Sequence, residues 1–387
     1  MANLPLDLIL EEILPKLPAK SLLRFKCVSK IFKTLISSSN FINHHLRHSL
    51  SSVKNRLLIV NRGVEHGGFL SFDLDSPQIP PSPLLLPNDF IPFPRKCIVA
   101  SCDGLLIIKG TKYGTNLARL VVVNPFTGFY RIILPNSYFN YGFGYDPHTD
   151  DYKFLEIDTV HIRIYSLMNN SSNFIANSSD NVIENFTGHR KFAIVVNRHL
   201  CHWLYWCHLQ EKHRIVCFDL CTENWAKDVP LPNYNGNGSG LEPGSSLHFA
   251  DRLFETCRNK KFDVINLTVF EGCLSVLTRN MSCDGNFDVW IMKDYGVAES
   301  WVKLFSVPDE LSVPLCYSTR STSKVLVWKM KDRNKGQLIW YNVRDRKSKK
   351  VEIRDVHGIR SSYNAYVFKG SLVTVPGGQQ IRRNELH

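Results

Sequence analysis

The chain has 387 residues, of which 44% are apolar and 21% charged, a balance that excludes a disordered or membrane-embedded polypeptide and is ample for a large core. Its 47 Lys and Arg against 35 Asp and Glu leave a net charge of +12, which suits nucleic acid, an anionic surface or an acidic protein and selects none of them. The 11 cysteines are odd in number and scattered among apolar residues, the pattern of reduced core thiols rather than of a disulfide framework.

The first predicted element starts at Pro5, a residue suited to the first turn of a helix, and runs to about Leu14. Leu6, Leu8, Ile9, Leu10, Ile13 and Leu14 cover more than half its surface, with Asp7 and Glu11 one turn apart. Asp7, Glu11 and Glu12 interrupt the apolar residues and no basic segment precedes them, so this is not the form of a signal peptide and a cytoplasmic or nuclear location is expected. Pro15 and Pro18 end the helix and open a second at Ala19, carrying Leu22, Leu23, Phe25 and Val28 at helical spacing. A third short piece carries Ile31, Phe32, Leu35 and Ile36. Lys26, Lys30 and Lys33 share a face away from the apolar stripe. About 40 residues of helix are too few for a self-sufficient core, so something else must cover them.

After Leu50 the period becomes strand-like and no further helix is read. One unit recurs: a short apolar strand, a polar turn, and a second strand that often carries an aromatic. It appears as FLSFDLDSP from Phe69, LVVVNPFTGFYRIILP from Leu120, IRIYSLMNNSSNFI from Ile162 and IVCFDLCTENWAKDVPLP from Ile215. VWIMKDYGVAESWVKLFSV from Val289 and LIWYNVRDRKSKKVEI from Leu338 complete the series. Spacings of roughly 40 to 75 residues suit four-stranded propeller blades, about six of them. A ring of this kind also removes exposed strand edges. Stretches rich in Ser, Asn and Gly at 170–188 and 233–246 read as loops and as first candidates for target contact.

Few residues suggest chemistry. HLCHWLYWCH, residues 199–208, has two Cys and three His, yet strand alternation puts Cys201, Trp203, Tyr205 and Cys207 on one face and His202, Leu204, Trp206 and His208 on the other. Cys217 and Cys221 lack zinc-knuckle spacing. Gly236, Gly238 and Gly240 lie in a flexible loop with no phosphate-binding helix behind it. Asp150 and Asp151 sit at a polar turn. No catalytic centre, metal or cofactor is expected.

The opening LPLDLILEEILPKLPAKSLLRFKCVSKIFKTLISSSNFINHHL resembles an F-box, through Leu4-Pro5, Ile13-Leu14, Leu17-Pro18, the run KSLLRFKCVSKIFKTLI, and Phe41 before His45-Leu46. The resemblance implies a helical unit that docks on a Skp-type adaptor. It assigns Leu4, Pro5, Ile9, Ile13, Leu14, Leu17, Pro18, Leu22, Leu23, Phe25, Val28 and Phe32 to the docking surface or its supporting core. Phe32 departs from the usual Trp, a modest loss of packing. The remainder is similar to the F-box-associated region of plant F-box proteins, through SCDGLLII, VVNPFTGFYRIILP, GFGYDPHTDDYKFLEI, IVCFDLCTENW, EGCLSVL and VWIMKDYGVAESWVKLFSV in the family's order. The turn before the strand at Leu200 departs from the family, with Arg198-His199 and an added residue in place of a glycine turn.

The expected architecture is therefore α+β and multidomain: an all-α F-box over residues 1–48, an all-β propeller of about six blades over 49–376, and a flexible tail over 377–387. The family implies a non-catalytic substrate receptor of a Skp-cullin-F-box ubiquitin ligase, joined through the adaptor to cullin and RING subunits and holding an unidentified target protein by its propeller. S-locus F-box proteins of self-incompatibility and receptors for plant immune receptors are the nearest in kind, and the S-locus type is favoured. Neither membrane nor nucleic acid is expected as a partner. The competing reading is a basic nucleic-acid-binding protein using Arg24, Lys26, Lys30 and Lys33, against which stands the width of the apolar face. A propeller hydrolase would need convergent carboxylates or a metal at a channel mouth, and the sequence offers neither sign.

Overall fold

The computed structural model describes residues 8–52, 56–61, 69–74, 82–84, 86–87, 90, 93, 95–112, 118–134, 140–158, 160–176, 193–207, 212–233, 264–279, 286–308, 312–332, 335–351 and 365–381. A small helical region leads into a β-propeller. The chain divides into two compact units, the first comprising residues 1–135, 353–358 and 366–387 and the second 136–352 and 359–365.

The first unit opens with α1 (Ile9–Ile13), a π-helical turn followed by a 3-10 turn at Leu14–Lys16. The regular helix expected there does not run through, because Pro15 has no amide hydrogen to return to the preceding turn. The Pro18 carbonyl then accepts the amides of Ser21 and Leu22, starting α2 (Ala19–Phe25). Ser29 Oγ accepts the Phe32 amide at 3.1 Å and caps α3 (Lys30–Ile36). Ser38 does the same for Phe41 at 3.3 Å and caps α4 (Ser39–Ser51). This fourth helix was not read from the sequence, although Ser38 followed by Phe41, Ile42, His45 and Leu46 is a cap followed by a helical stripe.

Two sheets complete this unit. Strands β1 (Arg56–Asn61), β2 (Phe69–Asp73) and β3 (Ser82–Pro83) are joined beyond β1 by β24 (Ala365–Lys369), so a strand from the end of the chain enters a sheet begun near its start. The second sheet runs β4 (Arg95–Cys102), β5 (Leu105–Thr111), β6 (Ala118–Val123) and β7 (Phe129–Ile133), with β25 (Gln379–Gln380) added outside β7. Gln379 and Gln380 thus pair with Tyr130 and Phe129, in a stretch that the sequence reading leaves in a flexible tail.

The second unit holds four antiparallel sheets in chain order. They are β8 (Asn140–Asp146) to β11 (Ser171–Ala176) with β9 (Asp151–Ile157) and β10 (His161–Ser166) between, and β12 (Ile194–Val196), β13 (Leu200–Cys207), β14 (Lys212–Asp219) and β15 (Asn224–Val229). Then come β16 (Val264–Phe270), β17 (Cys273–Arg279), β18 (Asn286–Met292) and β19 (Trp301–Pro308), and finally β20 (Ser312–Ser318), β21 (Ser321–Asp332), β22 (Lys335–Asn342) and β23 (Ser348–Lys350).

Five of the six sequence repeats span two consecutive strands of one sheet, β6–β7, β10–β11, β14–β15, β18–β19 and β22–β23, and the first covers β2. The reason for the polar turn is visible in the backbone: Gly128, Asn170, Glu223, Gly296 and Arg346, one in each of five outer hairpins, take left-handed φ values of 72°, 53°, 53°, 82° and 56°. Residues 171–176, expected in a loop, form β11; residues 177–188, 234–246 and the Gly236–Gly240 stretch lie outside the described residues. The turn that departs from the family is well formed. Asn197 and Arg198 are left-handed at φ 52° and 69°, the Arg198 carbonyl accepts the Tyr145 amide at 2.8 Å, and its guanidinium lies 3.9 Å from the Tyr145 ring centre.

Candidate functional site

The apolar surface of the helical region is the feature that the sequence leaves unexplained. Leu14, Ala19, Leu22, Ile36 and Phe41 form its core, and the chain itself closes that core: Leu372, 1% exposed, is a full member, and Phe126 of the β6–β7 turn packs against it. The expectation that a partner buries these helices is corrected in part, because Leu14 and Leu22 are already enclosed. A region of this size gains its missing apolar contacts from the propeller end of the same chain.

Of the candidate docking residues, Leu4 and Pro5 lie outside the described residues. Ile9, Leu17, Leu23, Phe25 and Phe32 are half-buried against the core, and Pro18 is also half-buried. Phe32, in the place where the resemblance leads one to expect Trp, meets the Phe25 ring at 6.1 Å. Ile13 and Val28 are open, 40% and 69% exposed. Two further apolar side chains, Leu8 and Ile31, stand 43% and 67% exposed; the sequence reading placed both on helices but not on the docking surface, and helical spacing alone could not separate the inward from the outward side of so apolar a segment.

The charges around this surface are mixed. Lys16 pairs with Glu12 at 2.7 Å, one helical turn apart and in solvent, and that hydrogen bond lowers the Glu12 carboxyl. Arg24, Lys30 and Lys33 are exposed, whereas Lys26 is half-buried and its ammonium is pulled down by that burial and then by Lys33. The four do not make one open basic stripe. His45, buried, holds the Leu17 carbonyl with Nε2 at 3.0 Å and so ties α4 to the turn before α2.

In the second unit, the Cys- and His-rich stretch divides between two faces of β13. Cys201, Trp203, Tyr205 and Cys207 point into one buried cluster, and Leu200 and Leu204 pack on another, as strand alternation required. His202 is fully buried; its Nδ1 lies 3.2 Å from the Ile194 carbonyl and its Nε2 2.6 Å from the Tyr295 hydroxyl. Burial pushes the imidazole down to about 4, so it is neutral at physiological pH. Asp146 and Glu223 both hold the Lys153 ammonium, at 2.8 and 2.7 Å. Burial opposes the charge on Asp146, but hydrogen bonds from Lys153, Thr149 and the His148 amide together hold its carboxyl well below the usual range.

Strand pairing does bring His199, Asp219 and Cys221 together, with one donor atom of each within 4.8 Å of the others, although the sequence reading kept the two cysteine stretches apart. Asp219 is engaged by its own turn, accepting the Cys221 amide at 2.9 Å and the Thr222 hydroxyl at 3.2 Å. The Cys221 thiol is pushed up to about 12 by burial and then by the neighbouring Asp146 and Asp219 carboxylates, the opposite of an activated nucleophile.

Comparison with known proteins assigns both parts of the chain. A model described as F-box domain matches residues 1–44, and one described as F-box associated beta propeller domain matches residues 70–375. F-box protein CPR1 of Arabidopsis thaliana is 28% identical over 418 aligned positions, covering 96% of this chain and 89% of its own. F-box protein At4g22390 of the same organism is 25% identical, covering 96% and 90%.

Proposed function

The chain belongs to the F-box proteins that carry an F-box-associated β-propeller, and from that premise we propose that it is the target-recognition subunit of a Skp-cullin-F-box ubiquitin ligase. The F-box joins the Skp-type adaptor, and through it the cullin and RING subunits. The propeller holds a target protein for ubiquitination and degradation. The chain contributes proximity and orientation, and the covalent steps belong to its partners.

One observation carries the adaptor half of this reading: Val28 and Ile31 stand 69% and 67% exposed beside a helical core that the chain has already closed with its own Leu372. Exposed apolar side chains next to a satisfied core fit a partner surface rather than unfinished folding. Ile13 and Leu8 extend the same property to α1, and Ile9, Leu17, Leu23, Phe25 and Phe32 support the surface from behind. For the target half, the net charge of +12 fits an acidic docking face on the target. The S-locus-like assignment rests on the sequence resemblance alone.

The test is adaptor capture. The full chain should retain a purified plant Skp-type adaptor at moderate salt, and a Val28→Asp, Ile31→Asp double variant with an unchanged melting profile should lose it. Failure of the folded wild type to bind would overturn the proposal.

A further inference from the structure

The geometry points to a clasp, made by residues 370–381 and the β6–β7 turn, that holds the F-box at one orientation on the second sheet. It goes beyond adaptor docking and rests on the ligase reading only for its consequence. From Lys369 onward the chain touches α4, the F-box core and β7 in turn. Lys369 Nζ donates to the Leu50 carbonyl of α4 at 2.7 Å, and the Gly370 carbonyl accepts from Ser49 at 3.4 Å. Leu372 enters the F-box core. Arg131 of β7 then donates to the Pro376 carbonyl at 3.1 Å, and Gln379–Gln380 pair with β7 as β25.

Asn124 locks this path to the turn of the NPFTG stretch. Fully buried, it donates from Nδ2 to the carbonyls of Ser371 at 3.1 Å and Val373 at 2.6 Å. Its Oδ1 accepts the amides of Phe126 at 2.9 Å and Thr127 at 3.4 Å. A single side chain therefore fixes both the strap and the turn that presents Phe126 to the F-box core. The approach is close: a Cβ at Gly370 would fall 2.6 Å from the Phe126 ring, and one at Gly104 would fall 2.2 Å from Ser371 Oγ. Neither strap nor turn can slide without breaking buried hydrogen bonds or emptying the F-box core, so the F-box is not a bead on a flexible tether.

For a protein that acts by proximity, that orientation sets which lysines meet the charged conjugating enzyme. Asn124, Phe126 and Leu372 are accordingly positioning residues, distant from any transfer chemistry. The experiment uses the full chain with fluorophores at positions 33 and 112, one on α3 and one beyond β5, and reads the distance distribution by single-molecule energy transfer. Wild type should give one narrow distribution. Leu372→Ala should broaden it at least twofold, and Leu372→Met, which refills the core, should restore it. Truncation after Pro376 removes β25 but spares Leu372, and should broaden it less. It keeps the test sharp if Leu372→Ala does not fold. In a ligase reconstituted with adaptor, cullin, RING subunit and charged conjugating enzyme, Leu372→Ala should bind adaptor within about threefold of wild type, yet spread self-ubiquitination over more of the chain's own lysines. An unchanged narrow distribution in both Leu372→Ala and the truncation would overturn the clasp. Loss of adaptor binding by wild type would overturn the ligase reading and leave the distance measurement standing.

Discussion

Val28 and Ile31, 69% and 67% exposed, flank a helical core that needs Leu372 from the far end of the chain to close. In the second sheet, by contrast, Leu105–Ile108 and Leu120–Val123 are at most 1% exposed, on both faces of two neighbouring strands. The helices keep apolar side chains exposed, while these two strands bury theirs on both faces.

That contrast can be broken by mutation. Phe218, fully buried among Trp203, Leu220 and the half-buried Trp225, should cost about 3–5 kcal/mol when replaced by Ala, read from the denaturant midpoint of the intact chain. Lys153→Met strands Asp146, which is enclosed, and leaves Glu223 in partial solvent; a loss of about 3 kcal/mol is expected, and Asp146→Asn in the same background should recover part of it.

A third test uses pH. Above its ordinary value of 6.5, His202 is neutral in the folded and unfolded chain alike and contributes nothing to the pH dependence. As pH falls from there toward about 4, the unfolded chain takes a proton that the buried imidazole refuses, so stability declines by up to about 3 kcal/mol across that window. His202→Gln should flatten this part of the curve in urea melts taken at successive pH values. The smallest stability effect belongs to Val28→Asp with Ile31→Asp, within about 0.5 kcal/mol of wild type, although adaptor capture is lost. If that pair destabilised the chain as much as Phe218→Ala does, both residues would be core and the contrast would fail.

Much of this was legible beforehand for a physical reason that differs between the regions. Strand alternation is local, so it sorted Cys201, Trp203, Tyr205 and Cys207 from His202 and Leu204. Turn chemistry is local too: Gly128, Asn170 and Gly296 mark three outer hairpins with residues that tolerate left-handed φ, whereas Glu223 and Arg346 take it without that advantage. The F-box surface was less legible. In a segment apolar around most of its circumference, Leu22 and Ile31 look equivalent, and only their neighbours make one fully enclosed and the other 67% exposed.

The sequence by itself determined the helical opening and the repeating hairpins, because each is written in spacing over a few residues, and its quoted motifs carry the resemblance to an F-box. Tertiary structure alone decided that Leu372 completes the F-box core, that Asn124 grips Ser371 and Val373, and that Gln379 and Gln380 add a strand to β7. Those contacts join residues some 250 positions apart or more, and no periodicity can announce a partner that the chain reaches only after it has folded back on itself.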